Sequence, residues 1–365
     1  MKMTEEGAKN FILTLFSAMA VLAALGVSVA YILDPFQIFH SSWFIKDRYV
    51  PAYERFQNAG LIRRILERDD CCDTVIIGTS HSQNFLPSYV AKAFKGHGTL
   101  QLSLPGPLMT EQEIMHRKAS ETGEIKRVIW DIHDPLAGDK VRQPNDPNIL
   151  QASPGKFFPL YLYDDNNFND YLLLASADMP ARFIDQLLRG KPYETYQSWY
   201  GKAKKNFGKG KELGEADTKF AIKEIPGINA YTFPNIDQVL IPVIASHPEQ
   251  EFFIFFPPYS RHFYAVMTQE EFSQLMAMRI KLAREVEKYP HARLFSFDGW
   301  AVTANLDNYK DQDGHYSQEI SNKIIDSMAA GKGRLRASSV ETNIRQLTAS
   351  VNAYIDGFES GSGKE

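Results

Sequence analysis

Five short runs of β-branched and aromatic residues, separated by stretches of helical periodicity, constrain this chain most: TVIIG (74–78), TLQLSL (99–104), KRVIWDI (126–132), EFFIFFPP (251–258) and ARLFSFDG (292–299). Runs this short and this continuously apolar read as strands buried on both faces, because a half-exposed strand alternates. Between them, LPSYVAKAFKG (86–96) reads as a helix ending at a glycine, and TEQEIMHRKASETG (110–123) as a helix with acidic residues in its first turn. FPNIDQVLIPVIASHP (233–248) predicts a helix capped near Asn235, and residues 268–290 a long amphipathic helix. Residues 307–331 predict a loop and then a helix with Ser317 as N-cap and Glu319 in its first turn. Strand–helix–strand alternation implies parallel strands with right-handed crossovers. The expected fold class is therefore α/β, an open doubly wound parallel sheet of about five strands.

The N-terminus adds a second constraint. FILTLFSAMAVLAALGVSVAYIL (11–33) carries no charge. A helix of about 20 apolar residues spans the hydrocarbon core of a bilayer, whereas a signal-peptide core is shorter. Residues 1–33 are read as a signal anchor, with cleavage after ALGVSVA the alternative. Lys2 and Lys9 oppose Glu5 and Glu6, so charge alone sets orientation weakly. Residues 34–72 form a juxtamembrane segment, aromatic (DPFQIFHSSWF) and then charged (RFQNAGLIRRILERDD), the second part predicting an amphipathic helix. The α/β domain occupies 73–335, interrupted at 134–230 by an insertion rich in Pro, Asn, Asp, Tyr and Lys, with some helix in NDYLLLASADMPARFIDQLLRG. Residues 336–365 predict one more helix and a disordered end, ESGSGKE.

Composition excludes several classes. A formal net charge of −4 gives no basic excess for nucleic acid, and no nucleic-acid-binding motif is present. The two cysteines, Cys71 and Cys72, are sequence neighbours and make no disulfide framework. No Cys/His spacing suits zinc, and no partner motif supports reading Asp131, His133 and Asp134 as metal ligands.

In a doubly wound sheet, ligands bind outside the carboxyl ends of the strands. Gly78-Thr79-Ser80 ends the first strand there, and Pro105-Gly106, Asp131–Asp134, Pro257–His262 and the loop reaching His315 converge on the same rim. A serine hydroxyl becomes nucleophilic only with a base in hydrogen-bond reach and a third group to orient that base. KDQDGHYS offers both: His315, with Asp311 four residues before it and Asp313 two before it. Ser80 and Ser82 are alternatively helix-capping serines. His81, Tyr259 and Arg261 are candidate substrate-lining residues.

These residues resemble the SGNH (GDSL-like) hydrolase superfamily, which has a Gly-x-Ser turn after its first strand and an Asp-x-x-His motif before its last helix. IIGTSHSQNF, LSLPGP, FFPPYS and NYKDQDGHYS look most like membrane-anchored extracytoplasmic members, similar to the D-alanyl transfer protein and the alginate O-acetyltransferases. The resemblance covers about 73–331, broken by the insertion. It implies Ser80 as nucleophile, His315 as general base and Asp311 or Asp313 as the orienting carboxylate, the spacing here being Asp-x-x-x-His or Asp-x-His. It implies an oxyanion hole from the Ser80 and Gly106 N–H groups. The family's third donor, an asparagine, is absent from WDIHDP, where His133 or a backbone N–H stands in its place. The implied function is ester hydrolysis or acyl transfer, without cofactor or metal, on a cell-envelope or exported polysaccharide. The implied setting is the periplasmic side of a bacterial inner membrane, beside a membrane-bound O-acyltransferase. The competing expectation is an inactive scaffold of the same descent that binds polysaccharide or an assembly partner through the insertion.

Overall fold

The computed structural model describes residues 4–40, 48–49, 54–66, 72–133, 140–192, 231–310 and 314–362. The protein is α/β, built on a mostly parallel six-stranded sheet with an apolar helix at its N-terminus. The sheet comprises β1 (Thr74–Ile77), β2 (Thr99–Gln101), β3 (Arg127–Asp131), β4 (Glu251–Phe256), β5 (Ala292–Ser296) and β6 (Arg334–Leu335). Their order is β2-β1-β3-β4-β5-β6, the first five parallel and β6 antiparallel at the edge. The chain thus starts in the sheet's interior, runs to one edge and then returns past its starting point. That reversal makes a switch point at the carboxyl ends of β1 and β3, where such sheets bind their ligands.

The five apolar runs fall on the five parallel strands. Side chains alternate between the faces of a strand, and the core divides accordingly. Val75, Ile77, Val128, Trp130, Phe252 and Ile254 join one buried cluster. Ile76, Ile129, Phe253, Phe255 and Phe295 join a second one. The second cluster is covered by α3 (Pro87–Phe94) and by a later helix, Gln318–Ala329. On the other face pack α2 (Arg55–Leu66) and α4 (Met109–Ser120). They are joined there by the helical segment 236–246, by the long helix 269–286 and by the last helix, 340–362.

Several details differ from the sequence expectation for physical reasons. The strand 99–104 regularises only over Thr99–Gln101, although Leu102 and Leu104 N–H still bond to Ile76 and Gly78 carbonyls at 2.8 and 3.0 Å. Helix α3 closes at Lys95, which takes the left-handed conformation itself (φ +55°) one residue before Gly96. The helix predicted over 233–248 opens with a π turn, Ile236–Leu240, and Asn235 makes no side-chain cap. Pro242 brings no N–H and crowds the carbonyl four residues earlier, and the wider turn relieves that crowding. The helical stretch predicted over 169–190 divides into a 3₁₀ segment, Asn169–Ala175, and α6 (Asp178–Arg189), and a further short helix, α5 (Pro147–Ala152), lies earlier in the insertion. The last helix runs to Ser362, into the stretch assigned to a disordered end.

Helix α1, Glu5–Leu33, is long and apolar enough to cross a membrane, and none of its apolar window is buried in the protein. Asp34 ends it: its carboxylate accepts the N–H groups of Ile38, Phe39 and His40 at 2.8–3.1 Å and folds the chain back.

Candidate active site

Ser80 lies in the turn that follows β1, and that turn is held from below. Both oxygens of Asp131, at the end of β3, accept the Thr79 N–H at 2.9 and 3.0 Å. The Ser82 hydroxyl donates to Asp131 Oδ2 at 2.5 Å and lies 2.6 Å from Ser103 Oγ. From β2, Gln101 Nε2 donates to the carbonyls of Ser82 and Phe85. Gly78 is a steric requirement, since a Cβ there would sit 2.4 Å from Asp131 Cγ. Neither serine caps α3, whose N-cap is Leu86 with no side-chain bond. Ser82 ties the turn to Asp131, and Ser80 is left to point elsewhere.

It points to His315. Ser80 Oγ and His315 Nε2 are 2.6 Å apart. His315 arrives on the loop after β5, and that loop is pinned. Tyr309 and Tyr316 form an antiparallel bridge, Lys310 N–H donates to His315 O at 2.8 Å, and Tyr309 Oη donates to Pro258 O at 2.7 Å. Gly314 turns at φ +83°, where a Cβ would meet the Tyr259 ring at 2.5 Å. From this turn the chain enters the helix Gln318–Ala329, capped by Ser317 as its sequence predicts.

The imidazoles at the site form a stack. The His81 ring lies 4.7 Å from that of His315, with an interplanar angle of 2°, and 5.1 Å from that of His133. Thr79 Oγ1 meets His81 Nδ1 at 3.0 Å, and Tyr259 Oη meets His133 Nδ1 at 2.6 Å. The Tyr259 and His81 rings meet near-perpendicular, with centroids 5.2 Å apart. His81 is buried and fixes the plane in which His315 faces Ser80. Burial, and secondarily the neighbouring His315, pushes the His133 pKa down to about 4, so His133 is neutral at neutral pH. Burial pushes the Asp131 carboxyl up to about 6 against the opposing hydrogen bonds from Ser82 and Thr79.

Gly106 sits on the same rim, two residues beyond Leu104, whose N–H bonds to Gly78 O. Its φ of +53° suits glycine, and Lys156 Nζ comes within 3.2 Å of where its Cβ would be. Among the described residues, no group accepts the backbone N–H of Ser80 or of Gly106. Arg261 begins the helix Arg261–Ala265, its charge close enough to Tyr309 to act on that hydroxyl. Asp311, Asp313 and Asp134 lie outside the described residues. Among the described residues, no three His, Cys, Asp or Glu side chains gather as a metal site.

The structure thus unites Ser80, His315, His81, His133 and Tyr259. It adds three contributors that the sequence reading missed: Thr79, Asp131 as the holder of the turn, and Lys156. Asp131 carried a signal, an aspartate ending the strand next to the serine turn. Lys156 carried none, since only folding brings the insertion back to Gly106. No known protein family model matches the chain, and no curated protein matches it.

Proposed function

We propose that this protein is a membrane-anchored serine esterase or O-acyltransferase of the SGNH (GDSL-like) type, built on a doubly wound sheet. The observation that carries the reading is the 2.6 Å approach of Ser80 Oγ to His315 Nε2 at the switch point between β1 and β3. His315 takes the hydroxyl proton as Ser80 Oγ bonds to an acyl carbonyl carbon. The carbonyl π electrons move to its oxygen, which the Ser80 and Gly106 N–H groups receive. Collapse breaks the ester C–O bond, and the leaving alkoxide takes the proton from His315. The acyl-serine then passes to water or to a sugar hydroxyl, with His315 accepting and returning the second proton. Asp311 or Asp313 would orient His315 in this scheme. The resemblance of the motifs supports a cell-envelope or exported polysaccharide as substrate, outside the cytoplasm, with a membrane-bound O-acyltransferase as companion.

The test is covalent labelling of the full chain in detergent with a fluorophosphonate, read by intact mass. The expected result is one adduct on the wild type, with labelling of Ser80→Ala abolished and of His315→Ala slowed about 100-fold or more. A folded wild type as inert as both variants would overturn the reading in favour of a binding scaffold.

A further inference from the structure

Among the described residues, every large apolar side chain left exposed lies either on α1 or between Phe157 and Leu188. In that second group Phe168, Leu172 and Leu188 are 81, 67 and 79% exposed. A soluble surface scatters such residues singly, whereas a contiguous patch marks a surface that something covers. Helix α6 is amphipathic in the inverse sense for a water-facing helix. Met179 and Gln186 face the protein, while Ile184, Leu187 and Leu188, at i, i+3 and i+4, face outward.

Position identifies the occupant. The elements that carry the patch adjoin the point where α1 leaves its apolar stretch. Gln186 Nε2 donates to Pro35 O at 2.7 Å, the Phe39 and Tyr171 rings lie 5.2 Å apart, and α1 packs on both the 3₁₀ segment and α6. The apolar surface of α1 therefore continues onto the insertion. The charges nearby are consumed within the protein: Asp170 pairs with Arg63, Asp185 with Arg182 and Arg189, and Asp165 with Lys118. Among the described residues no basic cluster remains beside the patch to attract anionic headgroups, so the attraction there is apolar.

We propose that residues 157–188 form a platform seated in the interfacial layer of the bilayer that α1 enters, setting the height and tilt of the α/β domain above it. This rests on reading α1 as a membrane anchor. The platform adjoins the catalytic rim: Lys156, next to Phe157, places its ammonium beside Gly106. Seating the platform holds the opening over Ser80 at a fixed distance from the lipid surface, where a membrane-borne acyl donor would arrive.

The test uses the full chain in phosphatidylcholine vesicles. Leu172→Cys and Leu188→Cys carry an environment-sensitive label, with Leu22→Cys on α1 as the anchor probe and exposed Lys332→Cys as the aqueous reference. Unsubstituted protein, labelled in parallel, accounts for Cys71 and Cys72. Lipids brominated near the headgroup end of the chain should quench the labels at 172 and 188 about twofold, unchanged by added salt. Lipids brominated near the terminal methyl should quench only Leu22→Cys, and the reference should respond to neither. Quenching at 22 with 172 and 188 matching the reference would overturn the platform and leave the anchor standing, the patch then serving a protein partner. No quenching at 22 would overturn both.

Discussion

Asp131 stands under Ser80, the proposed nucleophile. Its two oxygens gather the Thr79 N–H and the Ser82 hydroxyl, and those bonds set the direction of the intervening Ser80. A carboxylate suits this task because both partners donate. An asparagine presents one acceptor and one donor, and the donor would oppose either an N–H or a hydroxyl that must then rotate away. Asp131→Asn is therefore expected to fold yet to label at Ser80 about tenfold more slowly, a loss of positioning. The pH profile separates this from general loosening. The wild type should lose labelling rate as Asp131 protonates near pH 6, and Asp131→Asn should lack that inflection. Stopped-time labelling across that range checks it. The sequence made Ser80 and His315 legible because their motifs occur in order, one at the end of β1 and the other in the loop that leads from β5 into the helix Gln318–Ala329. The stacking of His81 between His133 and His315 was illegible, because it joins segments far apart in sequence.

Among the elements, those with strong local signals fold as read. The five parallel strands follow their apolar runs, and the helices 269–286 and 318–329 begin at Thr268 and Ser317, whose side chains accept the N–H of Glu271 and Ile320. What escaped has weak local signals. Strand β6 is two residues, Arg334–Leu335, with no apolar run, and it exists only because β5 offers an edge. A second cross-element feature is also invisible in the sequence. Arg279, on helix 269–286, and Asp298, just after β5, are both fully buried with Nη1 and Oδ2 2.5 Å apart. Tyr264 Oη donates to Asp298 Oδ1 at 2.6 Å and accepts from Arg279 Nη2 at 2.8 Å, and Ser296 Oγ also donates to Asp298. The Arg279 guanidinium lies over the Phe256 ring at 4.5 Å. Removing one partner strands the other charge in the core. Arg279→Met is expected to cost about 3–5 kcal/mol, and Arg279→Met with Asp298→Asn to recover part of it. Denaturant midpoints in detergent measure both.

At the scale of the whole molecule, three of the described buried groups that titrate in the acid range, His116, His133 and Asp131, are shifted far from their ordinary values, and together they predict how stability responds to acid. Burial holds His116 and His133 down to about 4 from the 6.5 of a free imidazole. Between those values the unfolded chain binds protons that the native protein refuses. Each histidine therefore makes stability fall as pH drops through that window, by about 3 kcal/mol in all. Asp131 works the other way. Its native pKa of about 6 exceeds the ordinary 3.8, so the native protein holds a proton that the unfolded chain has released. Its contribution is present at low pH and is lost as pH rises through 6, about 3 kcal/mol over the window. His262, lowered by burial, adds to the histidine side, while Asp34, Glu113 and Asp170, raised by burial, add to the Asp131 side. The two strongly depressed histidines outweigh the one strongly raised carboxyl, and the protein should be more stable near pH 7 than near pH 4.5 by about 3 kcal/mol. Asp131→Asn removes the largest opposing contribution without touching either histidine. Its stability should therefore climb more steeply than that of the wild type over the same interval. Denaturant titrations of the two proteins at both pH values decide the matter, and a wild type that weakens towards pH 7 would show that the buried carboxyls govern the balance.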